Sequence, residues 1–219
     1  MESPLCQSVP AGTRLIETFR YEPGEAVARL TLHLARLEKS AKALGFVFSE
    51  AAVMRAVAAL RSETPLRCRL TLEAAGDVEI TTAEMPVAAP KPWVCRISDV
   101  RLSSHDMFLQ HKTTRRAIYD EARADLPEGV QEWLFLNEHG ELCEGTITNV
   151  VLTMPDGRRL TPAVASGCLP GVYRQSLLNA GVVREAVLTV ADLVAAERVH
   201  LTNALRGEIL AVLEEAPLR

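Results

Sequence analysis

No stretch of the chain approaches the roughly 20 consecutive apolar residues of a membrane span, so a membrane is not expected among its partners. The segment Met1 to Gly12 lacks the basic flank and long apolar run of a signal peptide, and the expectation is a cytoplasmic protein. Neither sign of charge dominates: 24 Lys and Arg stand against 28 Asp and Glu, a formal net charge of −4 over 219 residues. The two signs are interspersed, which leaves nucleic acid no basic patch to bind. Five cysteines, Cys6, Cys68, Cys95, Cys143 and Cys168, are scattered without a C-x-x-C pair. No histidine stands at metal-ligand spacing either, so no metal is expected, and the cysteines read as small buried hydrophobes in a reducing compartment. No G-x-G-x-x-G follows a strand and no Gly-Lys-Ser/Thr is present, which excludes the dinucleotide fingerprint and the Walker loop. Internal repeats and low-complexity tracts are absent from the sequence.

What remains is ordinary globular material, 48% hydrophobic and 24% charged, enough for one large domain or two small ones. Leu15 to Tyr21 has strand composition and ends in a Pro-Gly turn, Glu22 to Glu25. Leu30, Leu34, Leu37, Ala41 and Leu44 then recur at helical spacing, with Gly45 as C-cap. His33, Arg36 and Lys39 share that helix and read as its wet face, although Arg36 is flanked by core leucines and can also point along an interface. Ser49 is placed as N-cap of a second helix, Glu50 to Arg61. From Leu66 the period changes to two, and the turn Ala75-Gly-Asp77 makes a hairpin with Val78 to Thr81.

The segment 85–92 holds three prolines and can carry neither helix nor central strand, so it is taken as a linker. It separates a small N-terminal α/β domain, 1–84, from a larger C-terminal domain, 93–219. Beyond it, strands are expected at Trp93–Ile97, Glu132–Leu136, Ile147–Leu152, Arg159–Leu160, Val199–Thr202 and Glu208–Leu213. Helices are expected over Thr113 to Leu126, over Gly171 to Asn179, and behind Thr189 as N-cap with Asp192 three residues on. Strands with a few interspersed helices and mostly hairpin connections make the class α+β, two domains with a cleft between them.

Two residues stand out chemically. Lys112 follows the apolar segment Met107-Phe108-Leu109 and precedes a helix-like run, an interior-facing position where burial makes a lysine a nucleophile or Schiff-base former. A solvated lysine at an element end is the ordinary alternative. Glu144 is placed in the turn before the strand Ile147 to Leu152. Further on, Ser166-Gly-Cys-Leu-Pro-Gly171 opens a helix whose first amides, those of Val172 and Tyr173, are suited to an anion. The same residues also make a plain Pro-Gly turn.

A lysine, a carboxylate and a helix N-terminus are together the contacts pyridoxal phosphate needs. In this combination the sequence resembles the class IV (fold type IV) pyridoxal-phosphate enzymes, which include branched-chain and D-amino-acid aminotransferases and 4-amino-4-deoxychorismate lyase. The resembling pieces are L-I-E-T-F-R, H-L-A-R-L-E-K-S-A, H-K-T-T-R-R-A-I-Y-D, E-G-T-I-T-N-V, L-T-P, C-L-P-G-V-Y-R and L-T-N-A-L-R-G-E-I. They run in the family's order from about Leu15 to Leu210.

The resemblance implies pyridoxal 5'-phosphate as cofactor, an active site in the interdomain cleft, and the larger domain as carrier of the Schiff-base lysine, Lys112. Glu144 is implied as partner of the pyridine nitrogen, Arg36 as the phosphate-binding arginine and Leu169 as the residue packed on the ring. Gly171 with the amides of Val172 and Tyr173 is implied as the phosphate cup, with Asn149, Asn203 and Ala204 completing the cofactor contacts. Two departures matter: the family often has Thr at the place of Tyr173, and the chain begins close to L-I-E-T-F-R, so contacts of the family's Y-G-D-G-x-F-E loop are not carried over. Arg206 is a candidate for substrate carboxylates, with a solvated loop residue as the alternative.

The motifs H-K-T-T-R-R-A-I-Y-D and N-A-L-R-G-E-I look most like aminodeoxychorismate lyases, which release pyruvate to give 4-aminobenzoate in folate biosynthesis. A class IV aminotransferase exchanging amino groups with a 2-oxo acid is the alternative, and a non-catalytic relative of the same fold is a third. A small amino substrate and a homodimer are implied as partners.

Overall fold

The computed structural model describes residues 9–87 and 92–214. The expectations for Cys6 and for the start of the N-terminal segment, and residues 88–91 of the proline-rich linker, fall outside that range. The described chain divides into two compact units. One holds the residues up to Val87 together with His111–Arg115, and the other holds the rest.

In the first unit, β1 (Leu15–Tyr21), β2 (Leu66–Leu72) and β3 (Val78–Glu84) form an antiparallel sheet in the order β1-β2-β3. Leu15 pairs with Leu72 and Tyr21 with Leu66. Alternation buries Cys68, Leu70 and Leu72 of β2, and Leu15 and Phe19 of β1 are likewise inside. Two helices complete the unit. The longer, α1 (Leu30–Leu44), ends at Gly45, whose φ of 73° is the left-handed cap that glycine adopts without a Cβ clash. The shorter, α2 (Glu50–Ala58), has Ser49 as N-cap, its side chain accepting from the Ala52 N–H. It stops three residues before the expected Arg61, whose guanidinium is bonded to the carbonyls of Ala58 and Leu60.

The segment His111–Arg115 joins this unit because it extends beside β1. The Ile16 N–H donates to the Lys112 carbonyl at 2.8 Å, and Leu15 and Thr113 form an antiparallel bridge. This corrects two expectations: the lysine's segment packs with the first unit rather than with the second, and no helix starts at Thr113. With Thr113 and Thr114 committed to backbone pairing, the helix α3 begins only at Ala117 and ends at Ala124.

The second unit is built on an eight-stranded mixed sheet. Its strands are β4 (Trp93–Leu102), β5 (Glu132–Asn137), β6 (Leu142–Gly145), β7 (Asn149–Thr153), β8 (Arg159–Pro162), β9 (Arg184–Ala186), β10 (Arg198–Asn203) and β11 (Gly207–Leu213), in the spatial order β6-β5-β4-β11-β10-β7-β8-β9. One face carries the main core: Trp93, Cys95, Leu134, Leu136, Val150, Leu152, Val199, Leu201 and Ile209 among others. The helix α5 (Val190–Ala195) lies in a capping box in which Thr189 and Asp192 satisfy each other's backbone donors. The other face bears α4 (Val172–Asn179), which contacts β10, and α3, which contacts β5. There Leu102, Leu109, Phe135, Cys143 and Cys168 form a second cluster, with Ile118, Tyr119 and Ala122 of α3 packed on it.

Glu144 is therefore in a strand and not in a turn. The ladder pairs Leu136 with Leu142 but Leu134 with Gly145, a shift in register. Phe135 is thus opposed by two residues, Cys143 and Glu144, a β-bulge of the kind that re-aims a side chain.

Candidate active site

The first unit contributes a buried charge cluster. Glu17 is 2% exposed, as is His33, and both sit between β1 and α1. Arg36 donates to Glu17 through Nε at 2.8 Å and Nη2 at 2.6 Å, and His33 Nδ1 lies 2.6 Å from the same carboxylate. Burial alone would raise the Glu17 carboxyl, but the Arg36 guanidinium and the bond to His33 outweigh it and hold it at about 2. His33 and Arg36 are thus not the wet face expected of α1. The buried stripe runs His33, Leu37, Ser40, Ala41, Leu44, and its two polar members are inside because each has a partner, Glu17 for His33 and His111 for Ser40.

Lys112 is half-buried and fixed on both sides. His111 Nδ1 lies 3.0 Å from the Ser40 hydroxyl. Thr114 exchanges bonds with the backbone of Arg14, donating its N–H to the carbonyl and accepting the Arg14 N–H at Oγ1. Of the residues carried over from the family, Arg36 and Lys112 belong to this unit; the rest are in the second.

In the second unit the structure brings Glu144, Asn149, Leu169 and Gly171 into direct contact. Asn149 Nδ2 donates to Glu144 Oε2 at 3.2 Å and to the Leu169 carbonyl at 2.9 Å. The Leu169 N–H donates to the same carboxylate oxygen at 3.1 Å. Gly171 closes on this knot so tightly that a Cβ there would stand 1.9 Å from Asn149 Oδ1. Gly171 is also the N-cap of α4 and, having no side chain, supplies no side-chain cap to the first turn, which begins at Val172. Asn149 pairs in register with Thr202 of β10, so the two side chains share a face of the sheet. Thr202 is fully buried, and its hydroxyl has no hydrogen-bond partner.

Asn203 holds its own loop, its Oδ1 accepting the N–H groups of Leu205 and Arg206, and ties that loop to the segment after Glu144 by donating from Nδ2 to the Ile147 carbonyl at 3.4 Å; Ala204 follows it in the turn. Arg206 lies over the Trp93 ring, 5.5 Å from its centroid, a stacked position rather than a solvated one. Tyr173, where the family often has Thr, lies against Gly207: a Cβ at 207 would come within 3.5 to 3.7 Å of its ring.

Three residues, two in the second unit and one in the first, escaped the sequence reading. Tyr119 donates to Glu144 Oε1 at 2.7 Å. Glu132, wholly buried, accepts from the N–H and hydroxyl of Thr146, the Ile147 N–H and the Thr148 hydroxyl, clamping the loop that follows Glu144. Glu17 is the third. For both glutamates a signal was present, a lone acid inside an apolar strand, in L-I-E-T-F and Q-E-W-L-F-L.

Residues 14–212 match the family description of amino-transferase class IV. The chain belongs to the class IV aminotransferase family. Over 211 residues it is 32% identical to a Schizosaccharomyces pombe protein provisionally named aminodeoxychorismate lyase, covering 92% of this chain and 90% of that one. A crystal structure from Mesorhizobium loti, provisionally named an amino-acid aminotransferase, superposes with a TM-score of 0.84 at 40% identity over 92% of this chain and 100% of that one. The crystal structure of 4-amino-4-deoxychorismate lyase from Pseudomonas aeruginosa has the same fold, with a TM-score of 0.78 at 23% identity over 91% and 82% of the two chains.

Members of this family work with pyridoxal 5'-phosphate. The second unit fits such a group. A carboxylate held by several donors suits a protonated ring nitrogen, and a helix N-terminus whose N-cap is a glycine, with the buried unpartnered hydroxyl of Thr202, suits a phosphate.

Proposed function

We propose that the protein is a pyridoxal-phosphate-dependent lyase acting on 4-amino-4-deoxychorismate, releasing pyruvate and leaving 4-aminobenzoate. The observation that carries this reading is the identity to the Schizosaccharomyces pombe protein, which extends over nearly the whole of both chains. The cofactor, when bound, supplies the electron sink for the bond broken next to its reactive carbon.

The chain's own residues do the rest. Lys112 holds the cofactor through Nζ and, once released, moves the substrate proton as base and then acid. Glu144 keeps the proton on the ring nitrogen. Arg36 and the amides of Val172 and Tyr173 bind the phosphate, with Gly171, Asn203 and Ala204 beside it, while Leu169 packs on the ring and Asn149 ties its carbonyl to Glu144. Arg206 receives a substrate carboxylate; its held position over Trp93 supports that role.

As part of the same reading the protein is a cytoplasmic homodimer acting on a small amino substrate. Support comes from four described cysteines that are all buried free thiols and from the exposed Leu210 and Val212 on one sheet face.

The Mesorhizobium loti structure, at higher identity, favours a second reading, an aminotransferase. A lyase needs no amino acceptor, whereas a transaminase must exchange its amino group with a 2-oxo acid. Pyruvate released from aminodeoxychorismate over many turnovers without added 2-oxo acid establishes the lyase. Failure of that release, with amino transfer from a branched-chain or D-amino acid to 2-oxoglutarate, establishes the transaminase instead.

A further inference from the structure

Glu144 is gripped from three elements of the second unit. The Tyr119 phenol of α3 donates to Oε1, and Asn149 of β7 and the Leu169 N–H ahead of α4 donate to Oε2. We infer that Tyr119 is a positioning residue for the Glu144 carboxylate, fixing its rotation and holding it anionic so that it retains the proton on the cofactor's ring nitrogen. The inference rests on the role proposed for Glu144.

The ring of Tyr119 is itself held in place. It meets Phe135 edge-on, with centroids 5.4 Å apart and planes at 84°, and the Arg116 guanidinium lies over it at 5.7 Å. Arg116 is anchored in turn by Asp120 and the Thr146 carbonyl. Aromatic packing of this kind fixes the direction in which the single polar atom points. The bulge in β6 turns Glu144 to the Phe135 face, the face on which α3 packs. Burial and then the charge of Glu144 push the phenol's pKa up, so the hydroxyl remains a donor throughout the physiological range. A bond donated to an anion is strong and favours the charged form.

The test uses holoenzyme carrying pyridoxal phosphate labelled with 15N in the ring. In Tyr119→Phe the ring packing survives and the donor is lost. The ring-nitrogen resonance should move toward its unprotonated position, and kcat should fall about ten- to a hundredfold with KM changed by less than about twofold. Placing 3-fluorotyrosine at position 119 strengthens the donor without altering the packing, should move the resonance the other way, and decides the matter if the Phe variant does not fold. Glu144→Gln serves as the reference. If it leaves the ring nitrogen protonated, the role of Glu144 is wrong. If it removes the proton while both changes at Tyr119 leave the resonance at its wild-type position, Tyr119 does not position Glu144 and the inference is overturned.

Discussion

Arg36 grips Glu17 with two nitrogens, Nε and Nη2, at 2.8 and 2.6 Å. The pair is buried, with side-chain exposures of 10% and 3%, so neutralising Glu17 takes a buried counter-charge away from Arg36. Glu17→Gln should destabilise the protein by about 3 kcal/mol in urea unfolding at neutral pH and weaken cofactor binding by freeing Arg36 to turn.

The same carboxylate sets an acid limit. Its folded pKa of about 2 lies below the 4.5 of an ordinary glutamate, so its contribution is fully present above about 4.5 and is lost as pH falls toward 2. Unfolding free energy measured from pH 6 to 2 should drop steeply in the wild type and more shallowly in Glu17→Gln. Parallel curves would show that other carboxylates govern acid unfolding.

Gly171→Ala forces a Cβ to within 1.9 Å of Asn149 Oδ1. Because Asn149 is pinned to Glu144 and Leu169, relief requires breaking those bonds. Cofactor affinity, read by equilibrium dialysis, should fall at least tenfold, while the secondary structure seen by circular dichroism stays the same.

Glu132 takes two donors on each carboxylate oxygen. In Glu132→Gln one end becomes an NH2 facing donors, which should cost roughly 1–3 kcal/mol. Burial raises the Glu132 pKa, with Thr146, Arg123 and Thr148 opposing. With the folded pKa above the unfolded one, its contribution is favourable at low pH and declines as pH rises through the folded value. The stability gap between wild type and Glu132→Gln should therefore change with pH in the sense opposite to that of Glu17.

Borohydride reduction of the loaded enzyme, followed by peptide mapping, should place the cofactor on Lys112. Labelling of Lys39 or Lys42 would remove Lys112 from its proposed role.

The helices and hairpins were legible because each has a local cause: Gly45 as a left-handed cap, the capping box at Thr189, the period-two run from Leu66. Residues whose placement depends on distant partners were not. Alternation along L-C-E-G puts Glu144 on the face of Leu142, and only the extra residue opposite Phe135 turns it away. His33 looks like a solvated helix residue until Glu17, sixteen positions earlier, is known to lie against it. Thr113 and Thr114 carry no mark of the strand they extend beside.

The Leu15–Thr113 bridge bears on how the chain can be cut. A fragment ending at Val87 has every residue of β1, β2 and β3, yet it leaves the Ile16 N–H without the Lys112 carbonyl and exposes β1 as an open edge, prone to pairing with other chains. A fragment beginning at Trp93 keeps Lys112 but not the strand that orders it. The first unit is therefore contiguous in space and not in sequence, and a soluble single-unit version calls for a permuted gene in which 111–115 is spliced back onto the first 87 residues.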